Sequence, residues 1–227
     1  LSALLSRPLK LDAVEQVNVI YSNAAALVIP LVKALMGDAY VIYSCAFIIV
    51  QLVLLWTHAS SLLQGSSALD WKKVLTNINM IAIAAGALLY WFRVVLPAPL
   101  QNTMSTVGNM MGPMGMLLAG MAIAEKPLRD VFCTRRNYLP TVLRLVVCPL
   151  VMLVLLLVCH ASSWVADGKN ILMTVYLAAI TPACATVTSM AQLYDRDAAH
   201  SSALYVLTTL LSIITMPVMI GLFDLLL

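Results

Sequence analysis

The chain has 227 residues, 62% of them hydrophobic and only 10% charged, with a mean hydropathy of +0.96. Soluble domains carry about a quarter charged residues, so this composition excludes an ordinary soluble domain and specifies an integral membrane protein. The net charge of +3 is small and scattered, which excludes the basic face of a nucleic-acid binder.

Leu1-Ser2-Ala3-Leu4-Leu5 reads as the tail of a longer apolar helix, with no charged leader or small-residue cleavage site, so further membrane helices are expected upstream. A short basic loop with Arg7, Pro8 and Lys10 follows, and then seven apolar runs long enough to cross a bilayer. They cover about Val14–Met36, Ala39–Trp56, Val74–Phe92, Leu100–Ala124, Leu139–His160, Ile171–Leu193 and Ala198–Leu227. No strand-like alternation competes with them, so the expected fold is all-α. The stretch 57–73 is the most polar and places a linker at 64–73, between a first part at 1–63 and a second at 74–227. Alternation of the spans puts Arg7, Lys10, Lys72, Lys73, Lys126, Arg129, Arg135, Arg136 and Arg196 on one side, against Arg93 and Lys169 on the other. The positive-inside rule makes the first side cytoplasmic and the C-terminus external.

Two spans are interrupted. The first carries Ser22, Asn23 and Pro30, and the second carries Thr181 and Pro182. Proline removes a backbone donor and clashes with the preceding turn. In lipid the freed groups have no water, so such a break persists only inside protein or beside a wet cavity. Aligning Gly37-Asp38-Ala39 with Arg196-Asp197-Ala198 sets Ser22-Asn23 opposite Thr181-Pro182. The second interrupted span starts from the opposite side to the first, as an inverted-topology repeat requires. Five spans per half would make ten in all, three of them upstream of this sequence.

Tyr21 to Gly37 also resembles, in Ser22-Asn23-Ala24-Ala25-Ala26-Leu27-Val28-Ile29-Pro30-Leu31, the signature of the auxin efflux carrier family of permeases. Val107-Gly108-Asn109-Met110-Met111-Gly112-Pro113 is similar to a second motif of that family, and Thr181-Pro182 through Pro217 fits its C-terminal pattern. The positions of two family glycines are Ala25 and Val28 here. The resemblance implies a ten-helix carrier of two inverted five-helix repeats, whose fourth and ninth helices break and cross near the midplane where a small organic anion binds. It maps the crossover onto Asn23, Pro30 and Pro182.

The residues expected to line that site are Ser22, Asn23, Pro30, Asn109, Thr181, Pro182 and Thr186. Half-helices starting near Pro30 and after Pro182 would present free N–H groups and positive dipole ends, suiting a carboxylate without a buried Arg. Asn23 and Ser22 either contact substrate or stabilise the break. Lys33 sits where it could draw in an anion, but snorkelling to the interface accounts for it better. Gly108 and Gly112 have small-xxx-small spacing for close packing. The methionines at 104, 110, 111, 114, 116 and 121 read as adaptable packing. The five cysteines form no CxxC or Cys/His ligand pattern and read as buried thiols. No catalytic motif, metal site or cofactor is expected.

The expected function is secondary transport of a small organic anion, with lipid as environment. The coupling ion, proton or sodium, and assembly as a homodimer are left open. A sodium-coupled carrier of the bile-acid type and a membrane sensor domain are the alternatives.

Overall fold

The computed structural model describes residues 11–65, 78–110, 127–159 and 167–227, with isolated positions between them. The Leu1–Leu5 tail, the linker residues 66–73, and Gly112, Gly115, Gly120, Lys126 and His160 lie outside the described residues. The described chain is helical, and its one extended pairing is an isolated antiparallel bridge between Ser22 and Ala183.

The first interrupted span consists of α1 (Ala13–Ile20) and α2 (Ala24–Met36). Asp12 starts α1 through a capping box: its carboxylate accepts from the Val14 N–H at 2.9 Å, and Glu15 Oε2 accepts from the Asp12 N–H at 2.9 Å. Pro30 lies inside α2, which corrects the expectation that a half-helix begins there. A proline deletes one hydrogen bond, to the carbonyl four residues back. The chain leaves helical geometry earlier, at residues 21–23, where the backbone groups find other partners.

Gly37, at φ 91°, turns the chain into α3 (Asp38–Gln64). This helix runs past Trp56, the expected end of its span. Its polar residues bond within the helix, Thr57 Oγ1 donating to the Val53 carbonyl at 2.7 Å and Gln64 Nε2 to Ser60 Oγ at 2.7 Å. Polarity therefore does not end it; Gly65 does, in the left-handed conformation at φ 68°. A π-helical turn interrupts α3 at Leu55–Ala59.

α4 (Ile78–Trp91) and α5 (Ala98–Asn109) are largely exposed, and α5 buries no residue. α6 (Leu128–Cys133) leads into α7 (Arg135–Val158), which carries a second π-helical turn at Leu143–Val147. The second interrupted span is α8 (Gly168–Ile180) and α9 (Ala185–Leu193), and α10 (Ala198–Leu226) closes the described chain. Among the described residues, α3, α7 and α10 are unbroken helices long and apolar enough to span a membrane.

Packing divides at the bridge. On one side Ala24, Val28 and Val32 form a fully buried i, i+4 stripe on α2. That stripe meets Tyr176, Leu177 and Ile180 of α8, Leu153 of α7 and Phe223 of α10. The narrow side chains let α2 and α8 approach closely, the packing that holds helices together in lipid. Tyr176 and Phe223 stack there with ring centroids 5.0 Å apart. On the other side Val14, Val17 and Tyr21 pack with Leu55 and Leu63 of α3 and with Val187 and Met190 of α9. Thus α1 pairs with α9 and α2 with α8, and the two broken helices cross in opposite directions.

The loops sort to two ends. At one, Tyr40 donates to Asp167 Oδ2 at 2.6 Å, and Lys169 approaches Asp224 at 4.0 Å. At the other, Arg136 bonds Asp12 and Glu15, and Arg196 Nε donates to the Leu63 carbonyl at 2.6 Å. Tyr40 and Leu63 lie near opposite ends of α3, which has 27 residues, and a helix of that length spans about 40 Å.

Candidate functional site: the crossover of the broken helices

A helix interruption leaves donors and acceptors without intrahelical partners. Here each break supplies the other. The Asn23 N–H donates to the Pro182 carbonyl at 2.8 Å, and the Cys184 N–H donates to the Tyr21 carbonyl at 3.2 Å. These bonds flank Ser22 and Ala183, the two residues of the bridge.

The two breaks have different local origins. Thr181 precedes Pro182, which bars it from the α region, and it sits at φ −66°, ψ 153°. No proline forces the first break. Tertiary bonds hold it: Ser22 Oγ donates to Gln51 Oε1 at 2.6 Å, and Gln51 Nε2 donates to the Ser22 carbonyl at 2.6 Å. Gln51 reaches in from α3. From α10, Thr208 performs the equivalent service for the second break, its Oγ1 accepting from the Ala183 N–H at 3.2 Å.

Beneath the crossover lies Arg144, on the π-helical turn of α7 and only 4% exposed. Its Nε and Nη2 donate to the Thr181 carbonyl at 3.1 and 2.9 Å, and Nη2 also donates to the Ala179 carbonyl at 3.0 Å. Nη1 donates to the Val19 carbonyl at 3.2 Å and to that of Ile20 at 3.4 Å. One guanidinium thus satisfies the C-terminal ends of both α1 and α8. The buried Arg is occupied by main-chain carbonyls at the crossover.

The expected site residues divide clearly. Ser22, Asn23, Thr181 and Pro182 are all buried and brought together at the bridge. Asn23 is 7% exposed and caps α2 by position, yet its side chain makes no capping bond and finds no hydrogen-bond partner among the described residues. Thr181 Oγ1 is spent on the Ala178 carbonyl at 2.9 Å. Thr186 is half-buried in the first turn of α9, and Pro30 is half-buried within α2, a turn and more beyond the break. Asn109 ends the exposed helix α5 and takes no part in the hydrogen bonding of the crossover. Lys33 is exposed and pairs with Asp38 at 3.3 Å.

A polar seam continues from the crossover between α1, α9 and α10. Asn18 Nδ2 donates to Ser201 Oγ at 3.1 Å, and Ser201 Oγ lies 3.1 Å from Thr188 Oγ1. Asn18 Oδ1 is buried and accepts nothing among the described residues. Farther along, buried Glu15 takes Arg136 Nε at 2.7 Å and lies 3.1 Å from His200 Nε2.

Gln51, Thr208, Asn18 and Arg144 were not singled out from sequence. Two of them had a visible signal. Arg144 is the one charge in the run Tyr138–Val158, and Gln51 is the one amide in Ala39–Trp56. Ionisable groups at membrane depth are costly and mark function.

Gln51→Leu leaves the Ser22 carbonyl without its donor and should destabilise the fold by about 1–3 kcal/mol, read as a lower thermal midpoint in nanodiscs. Adding Ser22→Ala should cost less than the sum of the single losses. Strictly additive losses would show that the two side chains are not coupled.

Residues 66–220, about two thirds of the chain, match the membrane transport protein family. The matched region contains α7 with Arg144, the whole second broken helix and Thr208, while the first broken helix precedes it. No curated protein matches the chain. With an all-helical apolar fold, buried polar groups at two crossing helix breaks and this match, the chain belongs to the membrane transport proteins of the auxin efflux carrier family and is a multi-pass membrane protein.

Proposed function

We propose that the protein carries out secondary transport of a small organic anion, a carboxylate of the auxin or malonate kind, bound at the crossover. One observation carries this reading. Both α2 and α9 begin at the bridge, so two helix N-termini with uncapped N–H groups meet there, beside the unpartnered amide of Asn23. Each such end carries about half a positive charge and favours an anion. The arrangement supplies hydrogen-bond donors without a carboxylate to repel the ligand.

In this reading Asn23 contacts the substrate, and Thr186 lines the α9 side. Ser22, Thr181 and Pro182 fix the backbone that presents the N–H groups. Pro30 leaves the Ala26 carbonyl without its helical donor, a soft point at which α2 could bend. The antiparallel crossing supports an inverted repeat, with access alternating as one helix group rocks against the other. Substrate binding would shift the balance between inward- and outward-facing forms. The basic end, with Arg136 and Arg196, faces the cytoplasm, and the end with Asp167 and the last turn of α10 faces outside.

Full-length protein in proteoliposomes, assayed with radiolabelled malonate and indole-3-acetate, tests the site. Asn23→Ala should lower uptake of the transported probe at least about tenfold at equal reconstitution, as for a lost bond to a charged group. Unchanged uptake would remove Asn23 from the site. For sidedness, Phe132→Cys and Asp167→Cys, each in a chain without its native cysteines, should react with impermeant maleimide from opposite faces of the membrane. Labelling of both from one face would overturn the topology.

A further inference from the structure

Arg144 is a buried cation with no acidic partner among the described residues, and its guanidinium is instead seated on four main-chain carbonyls. Those carbonyls belong to Val19 and Ile20, at the end of α1, and to Ala179 and Thr181, at the end of α8. Unwound carbonyls and helix C-terminal ends at a transporter crossover are the groups that elsewhere coordinate a sodium ion. Each end carries about half a negative charge, so two together balance one guanidinium. The N-terminal ends of α2 and α9 are then left uncompensated, and the crossover as a whole lacks one negative charge.

We infer that Arg144 is a resident counter-cation, filling the seat that a metal ion would take at this crossover and making the site select a carboxylate with no co-bound sodium. The anion part rests on the function proposed above; the seat does not. The π-helical turn at Leu143–Val147 serves this role. Its wider winding sets Arg144 facing the crossing while α7 continues on both sides. The seat is complementary to guanidinium in particular, because the donors fork toward two helix ends that approach from opposite directions. A sodium ion at this place would have to displace a tethered group of the same charge. The structure thereby separates the two transport readings drawn from the sequence and favours the one without sodium.

The experiment uses full-length protein in nanodiscs, with sodium, choline and guanidinium chlorides at low millimolar concentration as probes. For wild type, the thermal midpoint should be the same in sodium as in choline. Arg144→Ala should melt lower, and guanidinium should raise its midpoint by about 3 °C or more while leaving wild type unchanged. If Arg144→Ala does not fold, Arg144→Gln takes its place in the same titration. A saturable stabilisation of wild type by sodium would overturn the proposal, as would a folded Arg144→Ala or Arg144→Gln indifferent to guanidinium. Anion selection is read separately, by binding of malonate and acetate. Arg144→Lys should stay within about threefold of wild type, whereas Arg144→Gln should bind at least about tenfold more weakly, a charge-dependent difference that packing alone would not produce. Equal affinity of the Lys and Gln variants would refute the charge role. Absence of anion binding by wild type would count against the proposed substrate class, with the cation-seat result standing on its own.

Discussion

Two broken backbones that satisfy each other are the constraint on which this structure depends. In hydrocarbon an unpaired N–H or C=O costs several kcal/mol, so an isolated interruption is untenable. The bridge between Ser22 and Ala183 removes two donors and two acceptors at once. Further orphan groups are met from three surrounding helices: Gln51 of α3, Thr208 of α10 and Arg144 of α7. These helices also include every unbroken span-length segment among the described residues. The long helices are therefore more than a lipid-facing scaffold, because each delivers one side chain to the crossing.

The electrostatics follow from chain direction. Two helices end at the crossing and two begin there, so negative and positive dipole ends lie a few residues apart. Arg144 quenches the negative pair. The positive pair receives no side-chain cap from Asn23 or Cys184. This imbalance gives the proposed transport function its sign. It also sets a mechanical consequence: α1 packs with α9 and α2 with α8, so tilting either broken helix moves hydrogen bonds at the binding centre.

Much of this was legible in the residues. An apolar chain with seven long runs dictates membrane helices, and the hydroxyl and amide pairs Ser22-Asn23 and Thr181-Pro182 stand out in such runs. Pro182 marks its break correctly because the restriction on Thr181 is local. Pro30 misleads for the complementary reason. A helix can absorb one missing donor, whereas the break at residues 21–23 is imposed by partners distant in sequence, Gln51 and the second break. The role of Arg144 is not legible locally, because its carbonyl partners are 35 to 125 residues away. The end of α3 was misplaced because hydroxyl and amide side chains that bond their own helix look, in sequence, like the polar residues of a linker.

The pairing of the breaks can be measured directly. Ser22 and Ala183 form an antiparallel pair with its hydrogen bonds on the flanking residues, a geometry with Cα atoms about 4.5 Å apart and within disulfide range. In full-length protein stripped of its five native cysteines, Ser22→Cys combined with Ala183→Cys should form an intramolecular disulfide on mild oxidation in native membranes, detected by mass spectrometry of the linked peptides. The result expected is near-complete linkage of the pair, and none when Ser22→Cys is combined with Phe132→Cys. Failure of the 22–183 pair to link, under conditions that oxidise a control pair on adjacent helices, would contradict the crossover itself.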